Sequence, residues 1–531
     1  MDAKSSGRPQ QLSRFHLLVF LLVVGIAVAL RLPGLDTRPM HNDEAVNAIK
    51  FGQLWEHGQY KYDPNEHHGP TLIYATLAQA RLTGAPGFDR LSEARLRMVT
   101  VVFGVGLILL LPLLTDGLGR NGVLWAALFT AVSPAFVFYS DYFIHEALLV
   151  FFTLLALGAG WRYWRSRKIG WALLAGVGFG LMDATKETFV IALAAAVFAV
   201  VLNQIWNRLI DASGPPVRAE RLKTGHMVAL LGAWGAVAFL LFSSFFTNPS
   251  GPLDSLRTYV PWLNRAEGNS PHLHPWFFYF HRLLFFHPGK GPVWSEALIL
   301  CLALVGAIAG FRRRQLDGAQ ASLIRFLAFY TLGLSAFYSF LAYKTPWCLM
   351  GFWHGAILLA GVGAAVLLRA VGRPELRAAV CVLVLAGAAH LGWEAWALDT
   401  KYPADQRNPY VYAQTSPDIL NLVSKVESIA AVTPHPDQLV IKVMAPEEDY
   451  WPLPWYLRRF PNVGWWNEVP ADPYSPIMIV SAKLHAGLDE KKTHLMVGYF
   501  QLRPNVFFEL YVEKQLWTDW LASRPKSPPS E

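Results

Sequence analysis

The feature that most constrains the fold of this chain is a series of long apolar segments separated by loops, every second of which is rich in arginine and lysine. A helix needs roughly 20 apolar residues to cross a bilayer, and about eleven segments approach that length. These segments cover residues 15–35, 97–115, 121–139, 147–161, 169–183, 188–206, 227–247, 294–311, 323–342, 349–368 and 378–396. We therefore predict a polytopic α-helical membrane protein, in agreement with a composition that is 53% hydrophobic.

The basic loops predict which side of the membrane each loop faces, because arginine and lysine accumulate in loops that stay in the cytoplasm. The loops of this kind are the N-terminal segment and residues 162–168, 208–223, 312–314 and 369–377. The other loops are then extracytoplasmic, and so is the C-terminal region. The predicted location is the cell (inner) membrane, with multiple spans and with the chemically reactive side chains on the outer face.

Charge and cysteine content exclude two other classes of protein. The net charge is +8, but the basic residues are dispersed over cytoplasmic loops and form no stripe, so we expect no nucleic-acid partner. Cys301, Cys348 and Cys381 lie in or beside apolar segments. Their number and placement fit neither a disulfide framework nor a thiolate metal site. The predicted partner is instead the lipid bilayer, in which the apolar segments would lie.

The chain divides into two predicted domains, residues 1–397 and residues 398–531. Two longer outer loops, rich in aromatic residues, interrupt the first domain at residues 36–96 and 248–293. The second domain is richer in proline and polar residues, and its patterns are those of one helix and two strands. The helix is predicted over residues 419–429 and the strands over 438–445 and 476–482. We expect an extracytoplasmic α/β domain there.

The charged and histidine side chains that flank the apolar segments fall on the predicted outer side. They are His41, Asp43, Glu44, His67, His68, Asp141, His145, Glu146, Lys186, Glu187 and Lys344. Each also has a structural interpretation, since Asp43 can cap the helix that follows it, and a lysine beside a span can extend toward the lipid headgroups. The informative property is that all of them share one side of the membrane.

The order of these motifs resembles that of the GT-C glycosyltransferases, and within them the dolichyl-phosphate-mannose-protein mannosyltransferase and aminoarabinose transferase group. The similarity rests on the Asp-Glu pair at 43–44, an acidic cluster before the fourth apolar segment, and Lys-Thr-Pro-Trp at 344–347. Further runs resemble a bacterial and archaeal subfamily described as flippase-activity-associated. They are His41–Ala45, Tyr62–Pro70, Lys186–Glu187 and Pro409–Ser416. The run Asp141–Glu146 departs from the family, which commonly has an arginine and an aspartate there.

The resemblance implies a GT-C architecture, a polyprenyl-phosphate-linked sugar as donor and no nucleotide cradle, and the sequence contains no Walker or dinucleotide-binding motif. It implies that Asp43 is the general base for an inverting transfer and that Glu44 orients the acceptor or Asp43. Lys344 and Lys186 would hold the donor phosphate. Supporting or acceptor-binding roles are implied for His41, His67, His68, Asp141, His145, Glu146 and Glu187.

The sequence leaves a metal, the acceptor and one alternative function open. His67, His68, Asp141 and Glu146 offer ligands for a divalent cation, but their spacing matches no recognised metal motif. The acceptor is a glycan, a lipid or a protein. The alternative is a non-catalytic flippase or translocation partner for lipid-linked sugars. A transporter would have internal repeats and ionisable groups near the bilayer midplane, which this pattern does not predict, so we favour an enzyme.

Overall fold

The computed structural model describes residues 12–65, 68–210, 223–262, 272–316 and 318–524. Residue contacts divide the chain into two compact units. The first comprises Met1–Leu35, Gly58–Thr83 and Ala94–Tyr410, and the second comprises Asp36–His57, Gly84–Glu93 and Val411–Glu531. This division differs from the predicted boundary at residue 397, because two stretches of the first outer loop belong to the same unit as the C-terminal residues.

The first unit is built from helices. The long ones are Arg14–Arg31, Glu93–Leu110, Arg120–Val132, Glu146–Ser166, Ile169–Asp183, Phe189–Leu209, Thr224–Phe242, Ala297–Arg312, Ala321–Phe340, Met350–Ala370 and Pro374–Thr400. Shorter helices are Thr71–Leu82, Thr115–Leu118, Pro134–Phe138, Gly251–Arg257 and Phe278–Leu284. Each predicted apolar segment overlaps one of the long helices, so the chain is a multi-span membrane protein, as predicted.

Within the described residues, eight helices are long and apolar enough to cross a membrane. A ninth candidate is the pair Arg120–Val132 and Pro134–Asp141, which is bent by 61°. The apolar helices Ile169–Asp183 and Ala297–Arg312 are shorter, with 15 and 16 residues. The predicted number of about eleven spans is reached when these two shorter helices and the bent pair are added to the eight long ones as full spans.

The bend follows from Pro134, which has no amide hydrogen and whose ring collides with the preceding turn. Ser133 leaves the helical conformation at φ −60° and ψ 120°, and a new helix begins at Pro134. Two buried polar groups at the break share one acceptor. The Ser133 hydroxyl and the Ala135 amide both donate to the Glu296 carboxylate, at 2.5 and 2.9 Å, so the kink is stabilised by one acid.

Glycines allow two helices of the first unit to pack closely. A Cβ at Gly306 would lie 2.1 Å from the carbonyl oxygen of Leu359, and one at Gly363 would lie 1.8 Å from that of Leu302. No larger side chain fits between such backbones. Small residues at helix interfaces are typical of membrane proteins, where close van der Waals packing replaces the hydrophobic driving force.

The second unit contains a five-stranded sheet with the strand order β2-β1-β3-β5-β4. The strands are β1 (Ile441–Met444), β2 (Val463–Trp466), β3 (Ile477–Ser481), β4 (His494–Arg503) and β5 (Val506–Glu513). Strand β1 is parallel to β2 and β3, while β5 is antiparallel to β3 and β4. The helices of this unit are Asn42–His57, Asp418–Ala430, Leu453–Tyr456 and Lys514–Ser523. The predicted α/β fold of the C-terminal residues is confirmed.

The helix Asp418–Ala430 shows why that prediction was possible. Its apolar residues recur at helical spacing, and the larger ones are buried on one face, except for the half-buried Leu420. The larger buried ones are Ile419, Leu422, Val423, Val426 and Ile429. The predicted strands also appear, although each is shorter than its apolar run, because a strand ends where its ladder partner ends.

Candidate active site

Asp43 lies in the first turn of the helix Asn42–His57, and its side chain is 46% exposed. A carboxylate is favoured there by the positive end of the helix dipole. Glu44 has a different environment, because it is fully buried and its carboxylate accepts a hydrogen bond from the His41 amide at 2.9 Å. The Arg38 guanidinium lies 3.5 Å from the same carboxylate. Glu44 therefore supports the helix start, whereas Asp43 is accessible.

His41 orients the backbone of Asp43. The Asp43 amide donates to Nδ1 of His41 at 3.1 Å, and Oδ1 of Asp43 lies 4.0 Å from the same nitrogen. Burial lowers the pKa of His41, although the carboxylates of Asp43 and Glu44 oppose that shift. A neutral imidazole whose Nδ1 accepts from the backbone carries its proton on Nε2. His41 is therefore a neutral support beside the Asp43 carboxylate.

The residues before Asp43 are held by C-terminal residues of the same unit. The Met40 amide donates to the Tyr456 hydroxyl at 2.8 Å, and the Met40 carbonyl accepts from the Thr415 hydroxyl at 2.7 Å. The Gln414 side-chain amide donates to the Pro39 carbonyl at 3.0 Å. These bonds satisfy the amide and the carbonyl of Met40 and the carbonyl of Pro39. The α/β fold thereby fixes the segment that carries the candidate base.

Lys186 is the centre of a network of buried charges in the first unit. Its ammonium is ion-paired with Glu146, and both side chains are 6% exposed. His68 Nδ1 lies 2.9 Å from the Glu187 carboxylate. Burial disfavours charged Lys186, but the carboxylates of Glu146 and Glu187 outweigh it, so the pKa of Lys186 is raised. Burial also opposes ionised Glu187, yet His68 and Lys186 together lower the pKa of Glu187 to about 2.

Gly69 brings the first outer loop against this network. A Cβ at position 69 would lie 2.2 Å from the Ala184 carbonyl oxygen, so only glycine allows this approach. Nε2 of His145 lies 3.1 Å from the Gly69 carbonyl, and the His145 ring packs edge-on against His68 with centroids 5.2 Å apart. Two predicted histidines from distant parts of the sequence are thus in contact.

A small cavity of about 30 Å³ adjoins the ion pair of Lys186 and Glu146. Most of its other lining is aliphatic or aromatic, including Leu149, Val150, Tyr330, Leu334, Tyr338, Trp347 and Met350. A space of this size accommodates roughly one or two water molecules. Lys186 therefore faces a water-sized cavity and already has its counter-ion.

Lys344 has different neighbours. Its ammonium donates to the main-chain carbonyls of His274, at 3.0 Å, and of Leu341. Its amide donates to the His272 carbonyl at 2.8 Å, which pairs two loops of the first unit. Lys344 is buried, and burial lowers the pKa of its ammonium. Throughout the described parts of the chain, no carboxylate lies within ion-pair distance of this ammonium.

Basic side chains act on His274, whose main-chain carbonyl accepts from the Lys344 ammonium. The pKa of His274 is lowered, first by partial burial and then by the charges of Arg282, His272 and Lys344. Arg282 stacks on Phe278, with its guanidinium carbon 4.4 Å from the ring centroid. Arg282 was not among the predicted site residues, although Arg282 lies in the aromatic loop 248–293. Positive charge gathered in a partly buried place favours an anionic ligand.

Comparison with known proteins identifies the architecture. Residues 81–248 match the family model of dolichyl-phosphate-mannose-protein mannosyltransferase, while no curated protein matches the sequence. ArnT from Cupriavidus metallidurans in the apo state superposes over 94% of this chain and 98% of its own, with 13% identity and a TM-score of 0.61. ArnT bound to undecaprenyl phosphate superposes over 97% and 100%, with 13% identity and a TM-score of 0.59. The chain has the GT-C fold.

A third GT-C structure agrees. The oligosaccharyltransferase from Archaeoglobus fulgidus, in complex with Zn and sulfate, superposes over 94% of this chain and 76% of its own, with 13% identity and a TM-score of 0.50. The predicted resemblance to GT-C glycosyltransferases is therefore confirmed. At this identity the likeness concerns the fold, and the roles of individual residues remain predictions.

Within the GT-C fold, the predicted site residues belong to two groups. His41, Asp43 and Glu44 lie in the second unit, and His68, Asp141, His145, Glu146, Lys186, Glu187 and Lys344 lie in the first. His67 lies outside the described residues. Asp141 is buried, and its charge acts on Arg31, a residue that sequence analysis did not connect with it.

The predicted metal ligands do not converge in the described part of the chain. No group of three or more histidine, cysteine, aspartate and glutamate side chains is arranged there to hold a metal ion. His68 is engaged with Glu187, and Glu146 with Lys186. We therefore assign no role to a divalent cation, which the sequence neither required nor excluded.

Glu296, which was not among the predicted site residues, is a buried carboxylate that accepts four hydrogen bonds. The donors are the Ser133 hydroxyl at 2.5 Å, the Ala135 amide at 2.9 Å, the Trp353 indole at 2.9 Å and the Tyr410 hydroxyl at 2.5 Å. Four donors can stabilise a carboxylate without a counter-ion. Glu296 thereby ties Tyr410, in the Pro409–Ser416 run, to the bend at Pro134. The Pro409–Ser416 run drew attention to Tyr410 in the sequence, but the hydrogen bond between Tyr410 and Glu296 could not be predicted from it.

Proposed function

We propose that this protein is an inverting glycosyltransferase that moves a sugar from a polyprenyl-phosphate donor to an acceptor on the extracytoplasmic side. The GT-C fold is shared with ArnT over nearly the full length of both chains, and one matched ArnT structure is bound to undecaprenyl phosphate. The matched family is named for transfer from dolichyl phosphate mannose. Both comparisons support a phosphate on a polyprenyl chain as the group to be held.

The observation that carries the proposal is the state of Lys344. A buried ammonium without a carboxylate pays the cost of desolvation and gains no ion pair in return. Its two main-chain acceptors compensate in part, and the charges of Lys344 and Arg282 both act on His274. A phosphate would supply the missing negative charge and accept charge-assisted hydrogen bonds. Lys344 is thus our candidate for holding the donor phosphate.

Lys186 is the weaker of the two predicted phosphate holders. Its charge is already neutralised by Glu146, with Glu187 close by. A phosphate brought to Lys186 would meet two carboxylates, and repulsion between like charges would offset the attraction. We therefore assign Lys186 to the stability of the first unit.

Asp43 is the proposed general base. In the transfer step, the acceptor hydroxyl oxygen forms a bond to the anomeric carbon, while the bond between that carbon and the phosphate oxygen breaks. The hydroxyl proton passes to the Asp43 carboxylate, and polyprenyl phosphate leaves with both electrons of the broken bond. The 46% exposure of Asp43 and the fixed backbone before it suit this role. Glu44 and His41 hold the segment.

Replacement of Asp43 tests the proposal. Asp43→Asn keeps the shape of the side chain but removes the proton acceptor, and a positioned base contributes roughly a hundred- to ten-thousand-fold in rate. We expect a loss of that size in the release of undecaprenyl phosphate from a radiolabelled undecaprenyl-phosphate sugar by the purified protein. Donor binding, measured on the same samples, should be retained.

Asp89→Asn is the matched control, since Asp89 is also an exposed carboxylate of the second unit and its side chain is 52% exposed. Its turnover should equal that of the unmodified protein. Full turnover in Asp43→Asn would reject Asp43 as the base. Donor binding without turnover in the unmodified protein, together with transbilayer movement of the donor in vesicles, would favour the flippase alternative.

A further inference from the structure

A row of three aromatic side chains lies at the edge strand β2 of the second unit. The ring centroid of Tyr450 is 4.7 Å from that of Trp465 and 6.4 Å from that of Trp451, with interplanar angles of 40° and 32°. All three side chains are partly exposed, whereas the nearby Trp455 and Tyr456 are buried. The row therefore presents ring surface that the core of the unit does not cover.

The two tryptophans of the row also retain unused hydrogen-bonding capacity. Among the described residues, no acceptor receives the indole N–H of Trp451 or Trp465. Elsewhere in the same unit, the indole of Trp455 donates to Glu93 at 2.9 Å, and that of Trp520 donates to Ser428 at 3.1 Å. Trp455 and Trp520 are buried, and a buried indole normally finds such a partner.

Charged side chains border the row. Asp449, which precedes Tyr450, is ion-paired with Arg503 and with Lys483, the latter at 3.0 Å. Asp449 and Arg503 are partly exposed, at 19% and 18% of their side-chain surface. The surface thus combines apolar ring faces with a rim of fixed donors and acceptors.

We propose that this surface, formed by Trp451, Tyr450 and Trp465 with Asp449 and Arg503 at its rim, binds a saccharide that serves as the acceptor. A sugar ring has an apolar face of C–H groups and an edge of hydroxyls. Aromatic rings cover the face, and ionised side chains form charge-assisted hydrogen bonds with the hydroxyls. This assignment rests on the proposed function, because it selects a glycan from the three open acceptor classes.

The same chain segment connects the aromatic row with the candidate base. Residues 449–456 begin at the rim with Asp449 and end at Tyr456, whose hydroxyl accepts from the Met40 amide. Arg503 also acts on the Asp43 segment, since its charge contributes to the lowered pKa of His41, after burial as the main cause. The row and Asp43 are therefore parts of one compact unit.

The rim favours a saccharide over a lipid interface. Tryptophan and tyrosine are common at the headgroup level of membranes, where they need no fixed charged partner. Here Asp449 is held between Arg503 and Lys483, which orders its carboxylate. An ordered carboxylate beside ring faces suits hydroxyl recognition, because its fixed oxygens accept hydrogen bonds from the edge of a sugar ring.

Binding can be tested without turnover. The full-length protein in lipid nanodiscs is mixed with neutral oligosaccharides of glucose, of mannose and of arabinose, and saturation-transfer NMR reports contact with each sugar. We expect at least one of them to bind, with a dissociation constant at least about tenfold larger in Trp451→Ala and Trp465→Ala, as for aromatic anchors of other interfaces. Trp517→Ala is the control, because Trp517 is partly exposed in the same unit but stacks on Trp520.

A second measurement avoids dependence on the folding of these variants. In unmodified protein labelled with 5-fluorotryptophan, the fluorine resonances of Trp451 and Trp465 should shift on addition of the binding sugar, while that of Trp517 stays fixed. Failure of all three sugars to bind, or binding without these shifts, would overturn the inference. Asp89→Asn, at an exposed carboxylate of the same unit, should bind sugar normally. Turnover without sugar binding refutes the saccharide site alone, and sugar binding without turnover refutes the transferase alone.

Discussion

The two buried lysines of the first unit have opposite electrostatic environments. Lys186 is ion-paired with Glu146, and the net effect of its neighbours is to raise its pKa. Lys344 bonds only main-chain carbonyls within the described residues, and its pKa is lowered by burial. Both lie just outside helix ends, in loops 184–188 and 341–345. The sequence context of the two residues is therefore similar, and the difference comes from the tertiary fold.

This difference separates a structural charge from a charge that is available to a ligand. Removing one partner of a buried ion pair leaves the other uncompensated, which is costly. Removing a buried charge that has no counter-ion relieves a desolvation cost, which offsets the loss of its two main-chain hydrogen bonds. The two lysines should therefore respond differently to the same substitution.

The largest effect is expected for Lys186→Met. The substitution leaves the Glu146 carboxylate buried without its cation, and breaking such a pair costs about 3–5 kcal/mol. We expect the free energy of unfolding of the purified protein in detergent, followed by circular dichroism, to fall by that amount. The double variant Lys186→Met/Glu146→Gln should recover most of the loss, since no buried charge is left unpaired. A double variant less stable than Lys186→Met would contradict this account.

The next effect is on ligand binding and concerns Lys344→Met. A hydrogen bond to a charged group contributes about 1.5–3 kcal/mol, so affinity for undecaprenyl phosphate should fall roughly ten- to a hundred-fold. Stability should be unchanged or higher, in contrast to Lys186→Met. Equilibrium binding of radiolabelled undecaprenyl phosphate and thermal unfolding of the same samples measure both quantities. Unaltered affinity would remove Lys344 from the phosphate site, and Lys401→Met, outside both loops, serves as the control.

The dependence of undecaprenyl phosphate binding on alkaline pH should distinguish Lys344 from Lys186. Only the protonated amine attracts phosphate, and that form is lost as the pH rises through the pKa of Lys344, which lies below the ordinary value of 10.5. Undecaprenyl phosphate binding should therefore weaken at a pH below 10.5. Lys344→Arg should remove this decline, because a guanidinium stays charged over the range. A decline that persists in Lys344→Arg would assign it to another group.

The membrane helices were predictable because hydrophobic segments are local patterns. The helix Asp418–Ala430 was predictable for the same reason. The helix pair that bends at Pro134 and the two shorter helices were predicted as full spans, since apolar composition alone does not show where a helix ends. The sharing of the first outer loop between two units depends on contacts such as Tyr456 with Met40, which join residues far apart in sequence.

The candidate site shows the same limit. Sequence patterns selected both Lys186 and Lys344, because they identify a lysine beside a span but not its counter-ion. Glu146 was predicted as a supporting residue, and its pairing with Lys186 required the fold. Arg282 and Glu296 were not selected at all, since single charges in aromatic or apolar surroundings have no distinctive spacing. Charge balance is therefore the property that the tertiary structure adds.

The smallest effect is expected for Glu187→Gln, which changes the Lys186 network but leaves its main ion pair intact. Glu187 bonds His68, whose side chain is 37% exposed, so solvent screens part of the interaction and the expected loss of stability is about 1 kcal/mol. Because the folded-state pKa of Glu187 is lowered to about 2 from 4.5, its contribution is present above pH 4.5 and is lost as the pH falls toward 2. Unfolding measured between those two pH values should therefore be less pH-dependent in Glu187→Gln than in the unmodified protein. An equal slope in both would mean that this carboxylate is not preferentially ionised in the folded state, and that Glu146 alone neutralises Lys186.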